Sequence, residues 1–515
     1  MAIETRPDEV FNQSVPFEDV DLFGLDPALQ EAVEREGAGW AVDRIREAGL
    51  VAASADAQAH ARRAERNEPR LITHDRFGLR VDQVDLDPSW HWLLDGAIAR
   101  GIHALPWAEP RPGAHVARAA LEFLWTHANA GVMCPISMTY SAVPALRVDP
   151  EIAAEWEPRL IAGSMCGMAM TEKQGGSDVR ANTTRAEPVG DGWYELHGHK
   201  WFCSYPPCEI FLVLAQAPAG LSCFVLERGA GMEFQRLKDK LGTRSLPSSE
   251  VEFHGAAARL LGEEGRGVAT IIEMVTHTRL DCVIGSASSM RKGVAEAIWH
   301  ARHRSAFGAR LVEQPAMINV LADLALESEA ATATALRLAR AYDERDGALR
   351  RFATAIAKYW VCKRATPHAA EALECLGGNG YVEESPMPRL LRDAPLNGIW
   401  EGSGNVIALD VLRALSRESD GMEAFIAECE LARGGNAHLD AALDSLPTAL
   451  DPWTARRAVE ELAVAFQGSL LVRHAPPFVA DAFCAARLGG GGRVFGTLPS
   501  GVDGPAIVAR ALQVD

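Results

Sequence analysis

The stretch WYELHGHKWFCSYPPCEIFLVLAQAPAGLSCFVL, residues 193–226, decides the fold class. Trp193-Tyr194-Glu195-Leu196-His197 alternates, and Ile210–Leu214 and Ser222–Leu226 are short apolar runs set off by Pro and Gly. Alternation places every second side chain on one face, which is the period of a strand, and turn formers between such runs fold the chain back on itself. With Val251-Glu252-Phe253, these runs outline a compact antiparallel β domain over residues 164–257. No long helical pattern alternates with them, so a doubly wound parallel sheet is not indicated.

On the amino-terminal side, residues 1–163 read as a helical domain. Apolar residues recur at near-helical spacing over Pro27–Ala48 (Leu29, Ala32, Val33, Ala38, Trp40, Ile45), Trp90–Leu105 and Val116–Ala130. Prolines 106, 110, 112 and 135 mark the loops between them. On the carboxyl side, residues 258–417 read as a helical bundle. Val268–Phe307 has no proline and is rich in Ala, Ser and Gly, which suits long, closely packed helices. Pro315 opens a further helix towards Tyr342. Leu349–Leu376 carries Phe352, Ile356 and Tyr359 on one face and stops at Gly377-Gly378. Residues 418–515 form a helical extension with a glycine run, Gly489–Gly492. The expected class is α+β and mostly helical.

The chain has 515 residues, 48% of them hydrophobic, with 51 basic against 69 acidic side chains and a net charge of −18. That field repels polyanions unless a local basic patch reverses it, which argues against a generic nucleic-acid coat. Collagen-like, low-complexity and disordered classes are excluded by composition. The ten cysteines lie mostly in apolar runs, and no pair has Cys-x-x-Cys spacing, so they read as buried hydrophobes of a reducing compartment. The first residues carry no export signal, and no run of about 18 apolar residues spans a membrane. A cytoplasmic location follows as the expectation.

Four segments carry chemistry. In Met170-Thr171-Glu172-Lys173-Gln174-Gly175-Gly176-Ser177-Asp178, paired glycines let a ligand approach the backbone beside two hydroxyls. In His199-Lys200-Trp201-Phe202-Cys203-Ser204, aromatic rings adjoin a hydroxyl, as in the wall of a flat cofactor's pocket. His197 and His199 share a strand face, but no third ligand is apparent, so no metal site is assigned. Arg302-His303-Arg304-Ser305-Ala306-Phe307-Gly308, with Gln314 beyond, offers guanidinium groups suited to phosphate. The fourth is Cys375-Leu376-Gly377-Gly378-Asn379-Gly380-Tyr381 with Ile399-Trp400-Glu401-Gly402-Ser403-Gly404-Asn405, where Asn405 reads as an N-cap for Val406–Leu415. Glu401 lies between Trp400 and the glycines, where desolvation raises a carboxylate's pKa towards that of a general base. Read singly, each segment has a plainer reading: a polar turn, a core-facing aromatic strand, a basic helix end, a carboxylate on a helix dipole. No strand–GxGxxG–helix unit, Walker A loop, His-Glu-x-x-His pair or Gly-x-Ser-x-Gly elbow is present.

Taken in this order, the segments resemble the acyl-CoA dehydrogenase superfamily, and within it the AidB branch, flavoproteins associated with the bacterial adaptive response to DNA alkylation. VFNQ at Val10–Gln13, EREGAGW at Glu34–Trp40, CPISMT at Cys134–Thr139, NTTRAE, RLKDKLG and IWEGSGN extend the likeness over nearly the whole chain. The resemblance implies an amino-terminal helical domain, an antiparallel β-barrel and a four-helix bundle. It implies FAD, contacted by Met168, Thr171, Gly176 and Ser177, with Phe202 and Ser204 as the flavin wall. It adds Ile399, Trp400 and Asn405 as further cofactor contacts. Arg304, Phe307, Gln314, Gly377 and Gly378 would reach FAD across a subunit boundary in a homotetramer. The family more often has Trp where this chain has Phe202, and Gln where it has Glu374. Glu401 stands where most members carry the base that removes the α-proton of an acyl-CoA while hydride leaves the β-carbon for flavin N5. A minority place the base at the position of Thr278, before Arg279, and threonine cannot abstract that proton. An electron-transferring flavoprotein is the implied acceptor. The AidB branch implies an alternative, contact with duplex DNA through residues 421–515. There seven Arg and no Lys stand against eleven Asp and Glu, a balance that disfavours it unless Arg456, Arg457, Arg473, Arg487, Arg493 and Arg510 gather on one face.

Overall fold

The computed structural model describes residues 10–344, 346–417, 419–447 and 451–513. Residues 1–9, on which the expectation for the amino terminus rests, and residue 418, the expected start of the extension, lie outside these. The first part contains α1 (Pro27–Arg35), α2 (Val42–Ala52), α3 (Ala55–Arg66), β1 (Arg70–His74), β2 (Arg80–Asp85), α4 (Pro88–Ala99), α5 (Leu105–Ala108), α6 (Ala114–Thr126), α7 (Met133–Leu146) and α8 (Pro150–Ile161). The expected helix over Pro27–Ala48 is broken by Gly37, at φ 93°, and a short turn at Gly39–Ala41. The hairpin β1–β2 was not foreseen, because its residues alternate only between exposed and half-buried. Pro106 and Pro135 are not loop markers. Each sits in the first turn of a helix, where the missing N–H has no intrahelical partner to lose.

The β domain consists of β3 (Cys166–Ala169), β4 (Arg185–Gly190), β5 (Trp193–Ser204), β6 (Ile210–Ala217), β7 (Gly220–Glu227), β8 (Met232–Leu237) and β9 (Ser248–Leu261). The circuit β4–β5–β9–β7–β6–β4 closes into a barrel. It is not wholly antiparallel: β3 and β4 both run parallel to β6. Closure leaves β6 buried over Ile210–Ala215, as its continuous apolar run requires.

The carboxyl half begins with α9 (Gly267–His303), 37 residues long. The hairpin β10 (Ser305–Ala306) and β11 (Ala309–Arg310) precedes α10 (Pro315–Asp343), α11 (Gly347–Cys375), α12 (Gly378–Tyr381), α13 (Met387–Asp393) and α14 (Gly404–Arg417). Small residues such as Ala287, Ala295, Ala330, Ala339 and Ala353 let α9, α10 and α11 pack closely, all at 1% exposure or less. The helix α14 starts at Gly404, with Ser403 O accepting from Ile407 N, so Asn405 lies in its first turn and is not its cap.

The extension adds α15 (Ser419–Glu430), α16 (Ala437–Asp444), α17 (Ala455–His474), α18 (Pro477–Arg487) and α19 (Gly504–Ala511). It shares the bundle's core: α17 packs on both α10 and α11, and α19 on α10. Three of its arginines are committed to this packing. Arg487 pairs with Asp323 (2.5 Å) and Glu327 (2.8 Å), Arg473 with Glu428 (2.7 Å), and Arg510 with Glu31 (2.6 Å) and Glu329 (2.9 Å). Arg457 pairs with Glu461, and Arg456 donates to the Tyr359 hydroxyl and Asn405.

Candidate active site

Glu401 occupies the turn between α13 and α14 in a left-handed backbone conformation, φ 55°, unusual for a residue with a Cβ. Two cations hold this turn by its carbonyls. Lys358, buried on α11, donates to Trp400 O (2.7 Å) and to Gly402 O, and Arg279 on α9 donates to Glu401 O (3.0 Å). Arg279 is fixed in turn by Asp410 (2.9 Å), and Trp400 by Asn397 (2.9 Å). With its backbone so determined, the Glu401 carboxylate is aimed at α9, where Thr278 Oγ1 donates to Oε2 at 2.8 Å. The two positions that the resemblance marks as alternative sites for a base are therefore in direct contact.

Desolvation raises the Glu401 pKa above the ordinary carboxylate value, opposed by the Thr278 hydrogen bond and by Lys358 and Arg279. Asp281, one turn along α9 from Thr278, raises it further. Asp281 belongs to a buried cluster in which Arg118 binds it through two hydrogen bonds (2.5 and 2.8 Å) and Glu122 through one (2.9 Å). Beside this cluster, Trp107, His115, Tyr140, His277 and Tyr342 pack ring against ring. Their burial holds His277 neutral, with its pKa pulled down to about 3. Glu401 is thus a carboxylate with a fixed backbone, a hydroxyl partner on α9 and a raised pKa, the attributes wanted of a proton acceptor.

The residues assigned to the cofactor fall into two groups. Met168 lies on β3 and Thr171 follows it. Trp201 N donates to Thr171 O at 2.8 Å, which ties this loop to β5, the strand of Phe202 and Ser204. The tie is reinforced by a fully buried ion pair, Lys200–Glu172 (2.8 Å), whose carboxylate also accepts from Thr183 N and Thr184 N. Gly176 approaches Thr171 so closely that a Cβ would collide with its hydroxyl. Ser177 is exposed. Ser204 Oγ lies 3.2 Å from Ser248 Oγ and beside the thiol of Cys134, which desolvation pushes up to about 12 and which feels the Glu401 charge. The barrel wall and Glu401 are thereby brought together through α7, with Ile399 and Trp400 on the Glu401 turn.

Arg304, Phe307, Gln314, Gly377 and Gly378 lie elsewhere. Thr278 and Arg304 are separated along α9 by about 39 Å at the helical rise. Phe307, at the tip of the β10–β11 hairpin, is entirely exposed. One chain does not join the two groups. The residues nonetheless fit FAD. Phe202 is 50% exposed between the buried Cys203 and the half-buried Trp201, an aromatic ring at the surface with Lys238 Nζ 4.8 Å from its centroid. Gly377 and Gly378 have open space where a Cβ would stand. Among the described residues no His/Cys/Asp/Glu group is arranged to hold a metal, and no helix is long and apolar enough to cross a membrane. Sequence reading missed Lys358 and Arg118; a lone lysine within the apolar run of α11 was the signal for the first.

Comparison with known proteins bears on this geometry. Residues 12–172 match the adaptive response protein AidB N-terminal domain, 167–256 the acyl-CoA dehydrogenase middle domain, and 265–416 the acyl-CoA dehydrogenase C-terminal domain. The chain is 42% identical to AidB of Escherichia coli (strain K12), over 93% of this chain and 94% of that protein. It is 32% identical to mitochondrial isovaleryl-CoA dehydrogenase of Oryza sativa subsp. japonica, over 52% of this chain and 68% of that one. The structure of Caenorhabditis elegans ACDH-11 in complex with C11-CoA superimposes with a TM-score of 0.88 at 27% identity, over 94% of this chain and 93% of that one.

Proposed function

The chain belongs to the acyl-CoA dehydrogenase family, in its AidB-like branch, and from that premise we propose that it is an FAD-dependent oxidoreductase acting on an acyl-CoA. The observation that carries this reading is the Glu401 turn: a desolvated carboxylate with a fixed backbone, paired with the one alternative base position, which here is a hydroxyl. In this reading Glu401 takes the α-proton of the thioester. Thr278 orients the carboxylate before transfer; afterwards its own proton can turn to Val275 O, 3.1 Å away, leaving its oxygen free to accept from the new carboxylic acid. Lys358 and Arg279 keep the turn from relaxing during the transfer. FAD, when bound, supplies the acceptor for the hydride leaving the β-carbon. Met168, Thr171, Gly176, Ser177, Phe202 and Ser204 would hold it on the near side, and Arg304, Phe307, Gln314, Gly377 and Gly378 of a neighbouring subunit on the far side, in a homotetramer. An electron-transferring flavoprotein is the expected acceptor of its electrons. The C11-CoA bound by the nematode relative supports an acyl-CoA as substrate.

The test is anaerobic mixing of the yellow protein with short, branched and long acyl-CoAs, following loss of the oxidised flavin band. Glu401→Gln is expected to retain FAD and lose bleaching by a factor of at least about 10³, as for loss of a general base. Undiminished bleaching in that variant would sink the assignment.

A further inference from the structure

The VFNQ segment, Val10–Gln13, has no role in the chemistry above, yet its contacts are specific. Asn12 adopts φ 54°, a left-handed conformation that asparagine tolerates better than most residues. From there its side-chain amide engages both backbone groups of Ser305: Nδ2 donates to Ser305 O (2.9 Å) and Oδ1 accepts from Ser305 N (2.7 Å). An asparagine amide so placed imitates the peptide of a neighbouring strand. Its own carbonyl accepts from Arg304 NH1 at 2.9 Å. Gln13 Oε1 accepts from Asn379 Nδ2 at 2.8 Å, beside Gly377 and Gly378. The segment is anchored behind this point: Ser14 Oγ lies 3.0 Å from His300 Nδ1, Val15 O accepts from Trp299 Nε1 (2.8 Å), and the Phe17 ring packs on Trp299.

The hairpin so gripped needs outside support. Its strands are two residues each, too short to hold a conformation alone, and its tip, Phe307, touches nothing in the chain. Besides the closing bond from Leu311 N to Arg304 O, Gln314 Nε2 braces Ala306 O (3.1 Å) from the far side. Asn12 and Gln13 are thus the amino-terminal clamp on the two segments, Arg304–Phe307 and Gly377–Gly378, that the proposed function assigns to the far half of the cofactor.

We propose that Asn12 is a positioning residue for FAD: it presets Arg304 and the hairpin in the geometry that receives the cofactor. This rests on the FAD reading above. A preset site loses affinity when its constraint is cut, because binding must then order the loop itself. The experiment compares wild type, Asn12→Ala and Ser14→Ala after removal of flavin, titrating FAD by the change in flavin fluorescence, with hydrogen–deuterium exchange measured across 304–311. Asn12→Ala is expected to weaken FAD binding about ten-fold or more and to speed exchange across 304–311, while Ser14→Ala, which touches no hairpin contact and leaves the Val15 and Phe17 anchors on Trp299, stays near wild type. Binding within two-fold of wild type, with unchanged exchange, would overturn the proposal. If Asn12→Ala fails to fold, Asn379→Ala, which cuts only the Gln13 tie, replaces it, with a smaller loss of affinity expected and none overturning the clamp. If wild type itself takes up no FAD, the cofactor reading fails, and the exchange data alone decide whether Asn12 fixes the hairpin.

Discussion

At the residue scale, the pairing of Glu401 with Thr278 makes the reaction's pH dependence a test of the site. A hydrogen bond to the ionised form lowers a carboxylate's pKa, and Thr278 supplies one. Thr278→Val removes it, so the acid limb of the flavin-bleaching profile is expected to move to higher pH, while Thr278→Ser restores the wild-type limb. Superimposable profiles for wild type and Thr278→Val would show that the hydroxyl does not tune the base. The Lys200–Glu172 pair is a different kind of contact, since both partners are buried. Lys200→Met leaves Glu172 uncompensated and is expected to cost roughly 3 kcal/mol in urea unfolding, because the desolvation of the remaining charge is no longer offset.

At the scale of elements, α9 is the part that makes the site possible. Its first residue abuts the barrel: a Cβ on Gly267 would lie 2.5 Å from Ser222 C and 2.8 Å from Cys223 N, both backbone atoms of β7. Gly267→Ala must therefore push helix and strand apart, and a loss of about 1–3 kcal/mol is expected in denaturant unfolding. This long helix was legible from its proline-free, small-residue sequence, and β5, β6, β7 and β9 from alternation and apolar runs. The strands β3, β4 and β8 were not, because pairing within a closed barrel, more than their own pattern, makes them strands. Pro135 and Pro144 concealed α7, which carries Cys134 to the site. The motif segments announced Glu401 and its turn. They did not announce Arg118, whose partner Asp281 lies 163 residues away in sequence and is near only once the domains have packed.

Over the whole molecule, the titratable groups set an acid limit to stability. Desolvation would raise the pKa of Glu172, Glu327 and Glu428, but Lys200, Arg487 with Arg364, and Arg337 with Arg473 hold each down to about 2, against an ordinary 4.5. Their stabilisation is present above pH 4.5 and is lost as the pH falls towards 2, where the unfolded chain binds protons first. Between pH 7 and 4.5 two sets oppose each other. Buried His277 and His368, lowered to about 3 and 4, favour the fold at higher pH, while Asp343 and Asp393, raised to about 6 and 7, favour it at lower pH. The melting temperature is therefore expected to change little down to about pH 5 and to fall steeply below 4.5. A steep fall already between pH 7 and 5, seen by calorimetry, would contradict this balance. Glu327 and Glu428 also hold Arg487 and Arg473, and Glu31 with Glu329 holds Arg510, so three of the six arginines are withdrawn from a cationic face, while Arg456, Arg457 and Arg493 lie nearer the surface. A gel shift with duplex DNA at low salt is expected to be absent, and a shift with steep salt dependence would reverse that conclusion. Because α17 is packed against both α10 and α11, residues after 418 are not a module that can be shed. A chain cut there would keep Glu401, Thr278 and the residues that fix them and still lose the roof of its own bundle, so expression trials that trim it should yield aggregate rather than a smaller soluble protein.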